Sequence, residues 1–214
     1  MNEEIDKLIV KAGIGINNSL QNRELQQMLA EFGITEEKLN VGKGLLDEAT
    51  ALNNQQTKET GDWRQATDDL GAKTNAAFVP YIRLVKVARI AFAQEPGAWT
   101  ALGLAGDRKR SQSGLLAQLN QFYTNLSGNT EWLEKMAGYG ITAEKLAAAK
   151  ALALEAEEAL NRQKVEMGEA QDATLRRDRA ADALQEWYSD FIAIARIALE
   201  DNPQYLEMLG IVKK

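Results

Sequence analysis

The 214-residue chain contains neither cysteine nor histidine. Without cysteine it can form no disulfide, zinc-thiolate site, iron–sulfur cluster or thiol nucleophile. Without histidine it lacks the side chain best suited to proton transfer near neutral pH. Ser-His-Asp arrangements and the Glu-x-x-His pairs of ferritin-type di-iron bundles are excluded with it. We therefore expect no cofactor and no enzymatic activity.

Proline is scarce, with 3 residues, and no apolar run reaches the length of a membrane span. Few helix breakers and many Ala, Leu, Glu, Gln and Lys residues predict an all-α fold. The acidic start Met1-Asn2-Glu3-Glu4 is unlike a secretory signal, so we expect a cytoplasmic protein without membrane contact. With 25 basic and 31 acidic residues the net charge is −6, which disfavours a nucleic-acid partner.

The chain repeats itself with a shift of 107 residues. Leu25–Leu104 aligns with Trp132–Ile211 without a gap, and 26 of the 80 aligned positions are identical. Self-similarity at a fixed period is the sequence signature of a repeated structural unit. We therefore predict two tandem helical repeats, residues 1–106 and 107–214, which share one core. The predicted architecture is an antiparallel up-and-down helical bundle with pseudo-two-fold symmetry.

Matched residues mark the predicted helix ends. Thr35 and Thr142 precede acidic residues and are predicted N-caps, because a hydroxyl there accepts a hydrogen bond from the first helical turn. Matched glycines are predicted to end helices in the left-handed conformation: Gly33 with Gly140, and Gly103 with Gly210. The polar stretch Ala105–Gly114 is the predicted linker.

Each repeat is predicted to contain two short helices, a long helical stretch and a last helical turn. In the first repeat these cover about Ile5–Leu20, Arg23–Phe32, Glu36 to Gln94, and Trp99–Leu102. The second repeat begins the same order at about Ser113. Apolar residues in the second long stretch recur with a spacing near 3.5, which is typical of coiled coils.

The long stretch allows two interpretations. One uninterrupted helix of nearly 60 residues is possible, but helices beyond about 25 residues are uncommon in compact domains. We therefore favour a helix–turn–helix. Its turn lies either near Gly61 and Gly168 or within Gly71–Asn75, just before Pro80, which fits a first helical turn better than a helix interior.

Polar residues shared by both repeats are candidate site residues. They fall in or near the apolar phase of the long stretches: Gln56, Glu59, Tyr81 and Arg89 in the first repeat, and Gln163, Glu166, Tyr188 and Arg196 in the second. Buried polar groups often fix the register between helices, so we favour a hydrogen-bonded polar layer. A ligand pocket formed by Tyr81, Arg89 and their counterparts stays open as an alternative.

Two carboxylate pairs allow a metal-dependent alternative. Glu155 and Glu158 form Glu-x-x-Glu, and Glu169 and Asp172 form Glu-x-x-Asp. This pattern is similar to that of all-α nucleotide pyrophosphohydrolases of the MazG type, and the resemblance implies Mg²⁺ held by carboxylates and carrying substrate phosphates. Such spacings also arise on solvated faces of acidic helices, and we favour that interpretation.

Cations are concentrated in two segments. Arg83, Lys86 and Arg89 recur every three residues in an apolar helix, and Arg108-Lys109-Arg110 lies in the predicted linker. A basic amphipathic helix can bind membranes, and a basic run can bind nucleic acid. We interpret the first as the solvated edge of a core helix and the second as a solvated linker.

The shared motifs resemble those of a group of bacterial helical tandem-repeat proteins without assigned function. The resemblance lies in Gly-Ile-Thr followed by Glu-Lys-Leu, and in Ala-Arg-Ile-Ala followed by Pro and Leu-Gly. It implies a helical fold and no activity. We therefore predict a non-catalytic scaffold or protein–protein interaction module. Its alanine-rich face at Ala147, Ala148 and Ala151 would accept a partner helix or a second copy of the chain.

Overall fold

The protein is all-α in a computed structural model that describes residues 2–211, with side chains from residue 3 onward. Helices make up 84% of it and no strand occurs in the described residues, so the predicted all-α class is confirmed. In chain order the helices of this part are α1 Asn2–Gln21, α2 Arg23–Glu31, α3 Glu36–Ala91, α4 Pro96–Ala101, α5 Gln112–Ser127, α6 Thr130–Ala137, α7 Ala143–Ala198 and α8 Pro203–Met208.

The helix bounds follow the 107-residue shift found in the sequence. Helices α3 and α7 both span 56 residues, and each bound of α7 lies 107 positions after that of α3. The same shift relates α4 to α8 and the start of α2 to the start of α6. Residues 102–111 join α4 to α5 without regular structure, where the polar linker is predicted.

The four matched glycines end their helices as predicted. Gly33, Gly140, Gly103 and Gly210 have φ values of 77°, 75°, 60° and 75°. Each is followed by an apolar residue whose N–H donates back to the carbonyl five residues earlier, as from Ile34 to Leu29 at 3.0 Å. This is the Schellman motif, which gives partners to carbonyl groups that a helix end leaves without one.

Asparagine and threonine begin the matched helices. The Thr35 and Thr142 hydroxyl groups accept from the N–H groups three residues later, at 3.4 Å each, so the predicted N-caps are confirmed. Asn22 and Asn129 cap α2 and α6 in the same way, at 3.0 and 3.1 Å. These caps give hydrogen-bond partners to backbone N–H groups that a helix start leaves unpaired.

The predicted helix–turn–helix is wrong, because α3 and α7 are each one uninterrupted helix. No turn occurs near Gly61, Gly168 or Gly71–Asn75, and Pro80 lies inside α3. In α3 the buried residues keep the 3–4 spacing of a heptad from Ala66 to Ala91, and this spacing continues past Pro80. Burial of this apolar stripe sustains helix across positions where local propensity predicts a break.

The described helices contribute to two compact units. Met1–Thr60 with Glu169–Lys214 forms one, here called the terminal unit, and Gly61–Gly168 forms the other, the central unit. Each unit therefore takes segments from both sequence repeats. The division at residues 106 and 107 stays a prediction about the sequence.

Each unit has its own apolar core. In the central unit the second half of α3 packs with α4, α5, α6 and the start of α7, around Tyr81, Phe92, Phe122 and Tyr123. In the terminal unit one cluster joins α2 and the start of α3 to the end of α7 and α8, and a second joins α1, α3 and α7. No helix among the described residues has a stretch long and apolar enough to cross a membrane.

Candidate functional site

Tyr81 lies in the core of the central unit. Its ring meets Phe122 edge-on at a centroid distance of 5.5 Å and Tyr123 at 6.3 Å. Burial raises the pKa of the Tyr81 hydroxyl, and the positive charges of Arg108 and Arg89 oppose that rise. The heptad spacing directs the Tyr81 ring into the core. Its hydroxyl lies at the edge of the core, where it contacts Arg108.

Arg108 and Arg89 both converge on this edge. Arg108 Nη1 donates to the Tyr81 hydroxyl at 3.0 Å, and the guanidinium carbon lies 5.2 Å from the Tyr81 ring centroid. Arg89 donates through Nε and Nη2 to the carbonyl of Leu104, at 2.9 and 2.7 Å. That carbonyl follows Gly103, so the helix stop after α4 fixes where Arg89 points.

The two arginines line an open groove of about 230 Å³, here called the cationic groove. Lys86 contributes a third cation and Asp107 the only carboxylate of its lining, while Ile82 and Val85 supply apolar surface. Guanidinium groups keep their protons at any ordinary pH, so this groove is suited to binding an anion and not to moving protons.

The interpretation of the Arg108 segment as a solvated linker is wrong for Arg108, which is half-buried against Tyr81. The solvated-edge interpretation of the α3 cations holds for Arg83 and Lys86, which are exposed. It is wrong for Arg89, which is half-buried and bonded to Leu104. The sequence spacing gave no indication that Arg89 and Arg108, from the two basic segments, lie at the same place in the fold.

The matched residues of the terminal unit differ from this site. Tyr188 is half-buried and donates to the carbonyl of Lys11 at 3.2 Å, and burial raises its pKa. Its ring lies 6.1 Å from that of Phe191. Arg196 is exposed, although its counterpart Arg89 is half-buried. The shared Tyr and Arg therefore form a cationic site only in the central unit.

The remaining residues of the predicted polar layer are buried or half-buried. Gln56 is buried and donates to the Thr60 hydroxyl at 2.9 Å, while its Oε1 has no partner among the described residues. Glu59 is half-buried with an ion pair to Lys58 at 3.8 Å. In the second repeat, Gln163 and Glu166 are likewise half-buried. Glu166 pairs with Arg162 at 3.7 Å.

The predicted metal ligands are exposed. In the central unit Glu155 forms an ion pair with Lys73 at 2.6 Å. The hydrogen bond to Glu155 is the main reason why the pKa of Lys73 is raised. In the terminal unit Asp172 lies 3.9 Å from Arg176. Glu158 and Glu169 are exposed on α7.

Two structural features escaped the sequence analysis. Arg177 is only 2% exposed and donates to Asp178 at 2.6 Å. The signal for its burial was its place in the heptad stripe of α7.

Asn18 donates to the Met208 carbonyl and Asn125 to the Ala101 carbonyl, both at 2.6 Å. These asparagines were matched in the sequence, but their role in holding α8 and α4 was not inferred.

Comparison with known proteins gives no family: no family model, curated protein or solved structure matches this chain.

Proposed function

We propose that the protein is a non-catalytic helical interaction module that associates through one exposed face of α7. The observation that carries this proposal is the exposure of apolar residues along that face in the central unit. Leu154 is 47% exposed and Val165 is 58% exposed. Large exposed apolar residues grouped on one face are typical of interaction sites, whereas scattered ones are ordinary.

The spacing places these residues on one side of the helix. Residues at i, i+4, i+7, i+11, i+14 and i+18 share a helix face. Here they are Ala147, Ala151, Leu154, Glu158, Asn161 and Val165, all exposed, and this set is called the α7 face. Its alanines allow close approach of another helix, because helix–helix distances of about 8–10 Å depend on the side chains at the contact.

A second copy of the chain suits the charges of this face. Glu158 lies within the α7 face, and Arg162 borders it one turn further along. Two copies of one face that meet around a two-fold axis place residue i against residue j and j against i. Two antiparallel copies of α7 would thus set Glu158 of each copy near Arg162 of the other.

We also propose that the module arose by duplication of one helical repeat into an antiparallel bundle. Helix bounds related by 107 residues support this, as do the matched hydrogen bonds of Asn18 and Asn125. In the terminal unit Leu39, at the start of α3, packs in one cluster with Phe191, near the end of α7. In the same unit Leu46, further along α3, packs with Ala180, which lies earlier in α7.

Sedimentation of the full chain over a wide concentration range tests self-association. We expect the mass to rise above the 23.6 kDa of one chain as concentration increases. Leu154→Glu should abolish this rise, because it places a charge in the interface. Ile90→Glu is the matched control, since Ile90 is 65% exposed on a different helix of the same unit, α3. A strict monomer, or equal effects of the two variants, would contradict the proposal.

Of the carboxylates predicted to hold Mg²⁺ in the hydrolase alternative, Glu155 is already paired with Lys73. Incubation with nucleoside triphosphates and Mg²⁺ tests the non-catalytic part of the proposal. We expect no release of pyrophosphate, in the intact chain or in Glu158→Ala. Release that is lost in Glu158→Ala would establish the hydrolase in its place.

A further inference from the structure

We propose that the cationic groove binds the phosphate group of a small phosphorylated molecule. The groove is formed within the central unit by Lys86 and Arg89 of α3 and by Arg108 of the segment before α5. This inference goes beyond the proposed interaction function and does not depend on the α7 face.

The three cations keep donors that the fold does not use. Arg89 spends Nε and Nη2 on the Leu104 carbonyl, and its Nη1 has no bond to a described residue. Arg108 spends Nη1 on the Tyr81 hydroxyl, so its Nε and Nη2 remain. The Lys86 ammonium is exposed, with three further donors. Phosphate oxygens accept several such charge-assisted bonds at once.

The charge of the groove is not neutralised by neighbours. Its lining holds three cations and one carboxylate, a net charge of +2, in a chain whose net charge is −6. Among the described residues no carboxylate lies within 4.0 Å of a nitrogen of Lys86, Arg89 or Arg108. A positive groove in an acidic protein concentrates anions there.

The two guanidinium groups are positioned before any ligand binds. The Leu104 carbonyl holds Arg89, and the Tyr81 hydroxyl and ring hold Arg108. Ordering long side chains on binding costs free energy, and this cost is largely avoided here. Positioned donors favour one compact anion over a diffuse cloud of counterions.

The size of the groove indicates a small ligand. A volume of about 230 Å³ accommodates a phosphate group with a short organic body, which would lie against Ile82 and Val85. A nucleic-acid strand gains affinity from many phosphate contacts, and three cations supply few. Asp107 at the rim is suited to accept a hydroxyl of the ligand body and would repel a further phosphate.

The terminal unit provides an internal comparison. Ala193 stands where the central unit has Lys86, and Asp190 stands where it has Arg83. Arg196, the counterpart of Arg89, is exposed. The cationic groove is therefore a departure of one unit from the shared pattern, and Lys86 can be replaced without altering that pattern.

Calorimetric titration of the full chain with glycerol 3-phosphate tests the proposal, with glycerol and inorganic phosphate as further probes at fixed ionic strength. We expect saturable binding of one glycerol 3-phosphate per chain and none of glycerol. Lys86→Gln should weaken binding about tenfold, because a charged hydrogen bond is lost. Arg108→Gln should weaken it at least as much. Arg196→Gln is the control and should bind as the unchanged chain does.

Arg108→Gln could also perturb Tyr81, whereas Lys86 is exposed and its replacement should leave the fold intact. The Lys86→Gln variant therefore decides the test, and circular dichroism checks that this variant is folded. Absence of saturable binding, or equal affinity in Lys86→Gln and the unchanged chain, would overturn the proposal. Binding of a single-stranded oligonucleotide without any binding of glycerol 3-phosphate would overturn it too, in favour of a nucleic-acid surface.

Discussion

At matched positions, the two repeats place their large core side chains on different helices. In the terminal unit Gly15 lies so close to Phe191 that an added Cβ would be 3.2 Å from the ring. The matched positions in the central unit hold Phe122 and Leu84, so the large side chain there comes from the first helix of the repeat. Cores tolerate such swaps when total volume is kept, because they are close-packed.

Gly42 and Trp187 form a second such pair, and they allow a direct test. A Cβ on Gly42 would lie 2.3 Å from Trp187 Cη2. We expect Gly42→Ala to lower the free energy of unfolding by about 1–3 kcal/mol, the usual cost of overpacking. Urea unfolding followed by circular dichroism measures it.

Gly44→Ala is the control for that substitution. Gly44 lies in the same helix, and nothing lies within 4 Å of an added Cβ. Alanine there should raise the free energy of unfolding by about 0.5–1 kcal/mol, because it is the better helix former. If both variants shift stability equally, the close contact with Trp187 does not govern the effect.

At the scale of helices, the ends were predictable because they depend on neighbouring residues. The glycine of Gly33-Ile34 supplies the left-handed conformation, and the following apolar residue closes the Schellman motif. Thr35 then caps the next helix. The same residue types at Gly140 and Thr142 give the same result, so local chemistry alone decides these boundaries.

Helix continuity was not predictable in this way. Gly61, Gly71 and Pro80 each lower local helix propensity, yet α3 passes through all three. What sustains α3 is burial of its stripe against other helices, with Leu70 and Ala77 almost fully buried on either side of Gly71. Such contacts come from distant parts of the chain, and local helix propensity does not include them.

Pro80 offers a test at this scale. A proline inside a helix loses a backbone hydrogen bond and crowds the preceding turn, which costs about 3 kcal/mol relative to alanine. We expect Pro80→Ala to raise the free energy of unfolding by about 1–3 kcal/mol, since the more flexible unfolded chain offsets part of the gain. The midpoint of thermal unfolding should rise accordingly.

Pro96→Ala is the matched control. Pro96 begins α4, where a fixed φ favours the helix and the missing N–H needs no partner. Its replacement should leave stability unchanged or lower it by up to about 1 kcal/mol. A gain at Pro96 equal to that at Pro80 would show that interior strain in α3 is not the cause.

The cationic groove was only half predictable from the sequence. The repeat drew attention to Tyr81 and Arg89 as shared residues, and the basic segments were visible as charge patterns. Arg108 comes 27 positions after Tyr81, beyond a helix, a glycine stop and a segment without regular structure. Only the path of residues 102–111 brings it back to Tyr81, and composition does not determine such a path.

At the scale of the whole molecule, neither compact unit is contained in one sequence repeat. The terminal unit needs residues 1–60 from the first repeat and 169–214 from the second. The central unit spans 61–168 and therefore also needs both. Asn18 of α1 bonds to Met208 of α8, and Asn125 of α5 bonds to Ala101 of α4, so each hydrogen bond joins one repeat to the other.

This division predicts that the halves depend on each other. We expect a protease site placed at Gly106, outside the helices, to allow cleavage without separation of residues 1–106 from 107–214. The cleaved protein should elute as one complex and keep its helix content, because the core of each unit still joins both halves. Each half isolated by denaturation should lose most of its cooperative thermal transition, because its apolar stripe lacks the residues it packs against. If either half alone is a monomer with full helix content that unfolds cooperatively, the repeats are independent domains. The cores that contain residues of both halves are then not required for folding.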